Sequence, residues 1–225
     1  MEAFPDVRTL ARAYETQIMQ QWEGLGYYSR ARNLHEAAKT IVHEHNGSLP
    51  QTYEKIKPLK GIGQYTASAI ASFAFALPHA VVDGNVYRVL SRIFAADFAI
   101  DTNEGKKFFE KKADELLDLN DPATHNHAIM ELGALICKPT SPFCTKCPVA
   151  QYCKSYAEST QLSYPVKKKK PARKKRYLNF FIVCHQDHLI VQKRTGKDIW
   201  QGLYQLPLIE TTFNASTNEI SRKLK

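Results

Sequence analysis

Four cysteines, Cys137, Cys144, Cys147 and Cys153, fall within seventeen residues in the spacing C-x6-C-x2-C-x5-C, and no other feature constrains this chain so tightly. Four thiols this close can be wrapped around one centre by short loops, and Pro139, Pro142 and Pro148 stiffen the turns between them. A disulfide framework is the alternative in exported proteins. Here Met1 is followed by Glu2 and Asp6 and not by an apolar leader, so a metal or cluster site is expected. Zinc with four cysteines usually pairs two C-x2-C knuckles, of which only one is present. Iron–sulfur clusters also take four thiolates, at spacings that vary between families. Cys184 lies outside the group in a predicted strand and is expected to pack as an apolar residue.

Upstream of the cysteines, from Asp6 onward, the chain reads as helices separated by Gly/Pro breaks such as Gly24-Leu25-Gly26, Gly47-Ser48-Leu49-Pro50 and Asp83-Gly84-Asn85. In 31–45, Leu34, Ala37, Ala38, Ile41 and Val42 recur at three- and four-residue steps and predict one buried face; 108–117 and 127–136 repeat the pattern. No apolar run approaches membrane-spanning length. Downstream, 164–176 is rich in Pro, Lys and Arg and reads as a linker, and 177–183 and 189–192 read as short strands flanking a hairpin turn at His185-Gln186-Asp187. About fifty residues of this second unit are too few for a β-containing domain to close a core of its own.

The net charge of +9 points to a polyanionic partner less firmly than it first suggests. Lys167, Lys168, Lys169, Lys170, Arg173, Lys174, Lys175 and Arg176 carry nearly all of it, and removing these eight leaves a net charge of about +1. Such a run reads as a solvated linker that also grazes phosphates.

Chemistry gathers at three further places. In Leu59-Lys60-Gly61-Ile62-Gly63-Gln64-Tyr65-Thr66-Ala67, a Gly-x-Gly turn opens a helix whose first amides can point at a phosphate; many such turns only cap helices. Asp83, in Val81-Val82-Asp83-Gly84-Asn85-Val86, starts the next helix, and an N-cap alone would account for it. Trp22-Glu23-Gly24-Leu25-Gly26-Tyr27-Tyr28-Ser29-Arg30-Ala31-Arg32-Asn33-Leu34 sets aromatics and arginines around a glycine turn that could equally pack in a core.

Taken together, these motifs resemble those of the helix-hairpin-helix, [4Fe–4S] DNA glycosylases, and across nearly the whole chain those of the MutY-type adenine DNA glycosylases. The cysteine spacing looks like the family's cluster signature, so the resemblance implies a [4Fe–4S] cluster on Cys137, Cys144, Cys147 and Cys153. It implies catalytic roles for Asp83, Tyr65 and Asn85. Tyr65 stands where the lyases of the endonuclease III type carry a Schiff-base lysine, so a monofunctional hydrolase is expected. DNA contacts are implied for Lys60, Gly61, Gly63, Gln64 and Thr66 of the hairpin, with Tyr27 or Tyr28 as a wedge in the base stack and Arg30 and Arg32 on phosphates.

The implied fold is mainly α: a helical barrel module (1–78) and a cluster module (79–163), a basic linker (164–176), then the start of a Nudix-like α/β domain (177–225) resembled by Trp200-x-Gly202-Leu203-Tyr204-x-Leu206-Pro207. The implied function is hydrolysis of the N-glycosidic bond of adenine mispaired with 8-oxoguanine or guanine in double-stranded DNA, by a monomeric, cytoplasmic, nucleoid-associated bacterial repair protein. The family's general-acid glutamate sits in a pattern like Ser-Glu-x-Met-Leu-Gln-Gln-Thr, which these 225 residues do not contain, so excision by this chain is expected to be absent or much reduced. A thymine-mismatch glycosylase and a DNA-binding iron–sulfur protein without catalysis are the alternatives.

Overall fold

The computed structural model describes residues 3–168, 174–196, 198–216 and 219–220. Lys169, Lys170 and Arg173 of the basic run lie outside the described residues. The chain divides into two compact units, 1–169 and 170–225.

The first unit is helical: α1 (Val7–Arg12), α2 (Glu15–Gln21), α3 (Ser29–Glu44), α4 (Tyr53–Ile56), α5 (Gln64–Phe75), α6 (Gly84–Phe94), α7 (Asn103–Leu116), α8 (Pro122–Glu131) and α9 (Lys154–Ala157). Several starts are dictated locally. Asp6, Asp83, Thr102 and Asp121 each accept a backbone N–H of the first turn, and Pro122 occupies the first position of α8. In α3 the buried face is Ala31, His35, Ala37, Ala38 and Ile41, while Leu34 is 48% exposed. The apolar spacing found the helix but placed Leu34 on the wrong face, because small alanines and a histidine meet the neighbouring helices.

Two cores support this unit. Ile56, Ala67 and Ala71 join α4 to α5 with Ile62 and Leu77 packed around them, and Ala37, Ile41 and Leu59 tie α3 to the same hairpin. The second core, Val86, Leu90, Ala96, Phe109 and Ala113, locks α6 to α7. Burying Phe109 there stabilises the unit by roughly 2–3 kcal/mol. The helix expected over 127–136 changes character: α8 passes at Leu132 into one π turn, Leu132–Ile136, which delivers the chain to Cys137. The cysteine loops follow as the 3-10 turns Cys144–Lys146 and Ala150–Tyr152.

Among its described residues the second unit holds three antiparallel strand pairs. β1 (Tyr177–Phe180) pairs with β6 (Leu208–Thr211), β2 (Cys184–His185) with β3 (His188–Leu189), and β4 (Gln192–Lys193) with β5 (Tyr204–Gln205). The expected hairpin turn at 185–187 is present, but its strands are two residues each, and 177–180 pairs far along the chain instead. Ile182, Ile199, Trp200 and Tyr204 are more than half exposed, and Cys184 is exposed as well, against the expectation that it packs.

Candidate active site and cysteine centre

Asp83 is fixed from three directions. Its Oδ1 accepts the backbone N–H groups of Asn85 and Val86, both at 2.8 Å, and its Oδ2 accepts the Asn85 Nδ2 amide at 3.0 Å. Asp83 is therefore an N-cap, as its position predicts, and its carboxylate sits at the positive end of α6, an eleven-residue helix. The residue is only partly buried, and Oδ2 has one acceptor bond to Asn85. Asn85 is a direct partner of this carboxylate, so those two predicted site residues come together.

Tyr65, at the start of α5, is 45% exposed and lines a cavity of about 530 Å³ with Gln64, Ser68, Tyr53, His79, Val82 and Tyr87. Val82 brings the wall of this cavity to the residue before Asp83, while Lys106, Glu110 and Asp114 of α7 line it from the other side. Burial pushes the Tyr87 phenol up from its ordinary range, and Glu110 adds to the shift.

The hairpin's two glycines differ. Gly61 has φ of +81°, and a Cβ there would come within 2.6 Å of the Asn33 Cβ, so this glycine is required by conformation and by packing. Gly63 has φ of −88° and open space around it; it serves as the N-cap of α5. Lys60 and Gln64 are exposed, and Thr66 is half-buried. The contact of Gly61 with Asn33 brings the N-terminal part of α3 against the hairpin, so two of the predicted DNA-contacting segments adjoin.

Before α3 the chain takes three left-handed residues in four, Gly24 (+79°), Gly26 (+66°) and Tyr27 (+48°). A tyrosine at positive φ is strained, by about 1–3 kcal/mol. The Trp22 indole N–H closes the loop on the Gly26 carbonyl at 2.9 Å, and Arg30 lies over the Trp22 ring. Tyr27 is left 80% exposed while Tyr28 is half-buried, which separates two residues that sequence alone treated alike. Arg30 is exposed, whereas Arg32 Nε is bonded to Glu15 at 2.9 Å.

The four cysteines line one cavity with Arg92 and the apolar side chains Val89, Ile93 and Val149. Burial, then the neighbouring thiols, push the Cys144 thiol up; burial also raises that of Cys147. Among the described residues no three His, Cys, Asp or Glu side chains are gathered as ligands for a single metal ion. Two arginines that sequence reasoning missed hold the cavity wall. Arg92, 2% exposed, donates to the carbonyls of Gln161 (2.7 Å), Lys138 (2.7 Å) and Pro139 (2.8 Å), and its Nη1 lies 3.3 Å from Cys137 Sγ. Arg88, 8% exposed, donates to the carbonyls of Cys137 and Gly133, each at 2.7 Å, and to Asn85 Oδ1 at 2.8 Å. Burial pulls its guanidinium below the ordinary arginine range. A continuous path of hydrogen bonds thus runs from Cys137 through Arg88 and Asn85 to Asp83. The signal available in sequence was two arginines four apart in a helix rich in apolar residues, which places both on one side of it.

Residues 1–118 match the HhH-GPD superfamily of base excision DNA repair proteins. The chain belongs to that superfamily. It is also similar to a solved thermostable thymine-DNA glycosylase, at a TM-score of 0.64 and 26% identity over 70% of this chain and 72% of that one. Among curated relatives, the HhH-GPD chain is 35% identical over 92% of its length to the adenine DNA glycosylase of Buchnera aphidicola subsp. Baizongia pistaciae, and 41% identical over 70% to that of Schizosaccharomyces pombe. It spans 59% of the first relative and 35% of the second. No described helix is long and apolar enough to cross a membrane.

Proposed function

We propose that this HhH-GPD chain carries the DNA-binding and charge-stabilising half of a monofunctional adenine DNA glycosylase, acting on adenine opposite 8-oxoguanine or guanine in double-stranded DNA. The observation that carries the reading is the Asp83 carboxylate, held by three hydrogen bonds at the head of α6, in a chain similar over 92% of its length to an adenine DNA glycosylase. Cleaving an N-glycosidic bond builds positive charge on the sugar. A carboxylate fixed in this way stabilises that charge without moving. Asn85 keeps Oδ2 aimed, and Tyr65 borders the adjoining cavity as a phenol, which cannot form the imine of a lyase. The amides after the Gly61 turn receive a phosphate, with Lys60, Gln64 and Thr66 beside it. Tyr27, strained and exposed, is the wedge; Arg30 meets phosphate, and Arg32 would have to share itself with Glu15. No residue of this chain is assigned to protonate the leaving base.

The cysteine cavity fits a [4Fe–4S] cluster held by Cys137, Cys144, Cys147 and Cys153. The four thiols line one cavity, and among the described residues the buried Arg92 beside them has neutral carbonyls and a thiol as acceptors, so an anionic occupant would balance it. When bound, such a cluster supplies structural cross-linking and a local negative charge. Modules 1–78 and 79–163 would then flank the cleft that Asp83 faces.

The test is single-turnover base release from duplexes holding one 8-oxoguanine·adenine or one guanine·thymine pair. Adenine release that falls on the order of a hundredfold in Asp83→Asn, with stability kept within about 0.5 kcal/mol because asparagine also caps helices, supports the reading. Thymine release would make the chain a thymine-mismatch enzyme. Duplex binding without release of either base would leave a DNA-binding protein.

A further inference from the structure

We infer that Asn126, on α8, is a positioning residue for Asp83, and that α8 and the π turn continuing it clamp the Asp83 turn at two points. Asn126 is 1% exposed and uses its whole amide. Its Oδ1 accepts the Val81 N–H at 2.9 Å, and its Nδ2 donates to the His79 carbonyl at 3.0 Å and to Ser72 Oγ at 2.8 Å. The extended stretch between α5 and α6 is thereby tied to α8 two residues before Asp83. Buried backbone groups without partners are costly, and among the described residues the Asn126 amide serves both Val81 and His79.

The second point lies seven residues on, in the π turn that continues α8. There Gly133 packs its Cα against Asn85, leaving no room for a side chain: a Cβ at 133 would sit 2.6 Å from the Asn85 Cβ. The Gly133 carbonyl also accepts from Arg88 Nη2, the same nitrogen that donates to Asn85 Oδ1. Residue 81 is therefore pinned by a side chain and residue 85 by close backbone approach, both from one rod. The carboxylate between them gets its direction from α8 and not only from its own helix.

This inference rests on the reading of Asp83 as the catalytic carboxylate, and the experiment separates the two. Amide hydrogen exchange is followed at Val81, Asn85 and Val86 in the unmodified chain, in Asn126→Ala and in Ser72→Ala. Asn126→Ala is expected to speed exchange at these three amides by about tenfold or more while the α5 amides of Ala67 and Ala71 stay protected. Ser72→Ala, which leaves Val81 and His79 bonded, should not. Uniform acceleration across the chain, or none, overturns the clamp. If Asn126→Ala does not fold, mild denaturant decides on the unmodified protein: Val81 must open together with Asn85 and Val86, and a separate, easier opening of Val81 overturns it. In the base-release assay, Asn126→Ala should slow release on the order of a hundredfold with the duplex dissociation constant unchanged. Local loosening with an unchanged rate removes the positioning role. A wild-type chain that releases no base is accounted for by the lack of a residue that protonates the leaving base, and the exchange results then decide the clamp.

Discussion

Both units use arginine to hold loops together, and they do it in opposite ways. In the first, Arg88 and Arg92 are buried and their acceptors are backbone carbonyls, one amide and one thiol. In the second, Arg176 is partly exposed and grips carboxylates: Asp198 through Nη1 and Nη2 at 2.9 and 2.6 Å, and Glu210 through Nε and Nη2 at 2.6 and 2.7 Å. Arg194 joins the same Asp198 at 2.9 Å. A guanidinium facing carboxylates is neutralised on the spot, and water competes for it. One facing carbonyls keeps its charge, cannot be replaced by water, and stays available to an anion nearby. The buried pair therefore fits a site that will hold negative charge, and the exposed network fits a structural fastening.

The largest test of this contrast is Arg92→Leu. It strands the carbonyls of Lys138, Pro139 and Gln161 inside the fold, and should cost about 3–5 kcal/mol in urea unfolding together with loss of any visible cluster absorption. A loss below about 1 kcal/mol would show that the carbonyls find water and that burial means little here. Acidification comes next. Arg176 holds the Asp198 and Glu210 carboxyls below their ordinary values of 3.8 and 4.5, so their stabilisation is complete above those values and drains away as pH falls past them. Trp200, over which Arg194 lies, should report this loosening by fluorescence in a Trp22→Phe background, while the Arg92 Nε–H resonance stays in place. If both move together, the two fastenings are not distinct. The smallest effect is expected of Arg176→Gln at neutral pH, a slight drop in the melting of the β1–β6 pairing, because solvent competes for these charges and Arg194 retains Asp198. A drop comparable to that of Arg92→Leu would erase the comparison.

How much of this could be read beforehand depended on whether the cause was local. Asp83 as a helix start, the Gly61 turn and the shared cavity of the four cysteines follow from residue type at short spacing. The buried polar residues did not. Arginine and asparagine are solvated by default, and partners 45 to 69 positions away in sequence make Arg88, Arg92 and Asn126 interior. Leu34 misled for the complementary reason, since spacing marks a face without saying which neighbour will cover it. The β1–β6 pairing was equally hidden, because register between strands some thirty residues apart is set by what packs and not by either strand.

The π turn at Leu132–Ile136 carries a consequence for how such a chain can change over generations. A π turn is an α-helix with one residue too many. Deleting any single residue there would let α8 run on as a regular helix and swing Cys137 by about 100° around its axis. That would carry the thiol away from the Arg92 guanidinium and withdraw the Gly133 carbonyl from Arg88. Loss of one codon, with all four cysteines still present, is thus a short route to a relative that has lost its cysteine centre, and a count of cysteines would not reveal it.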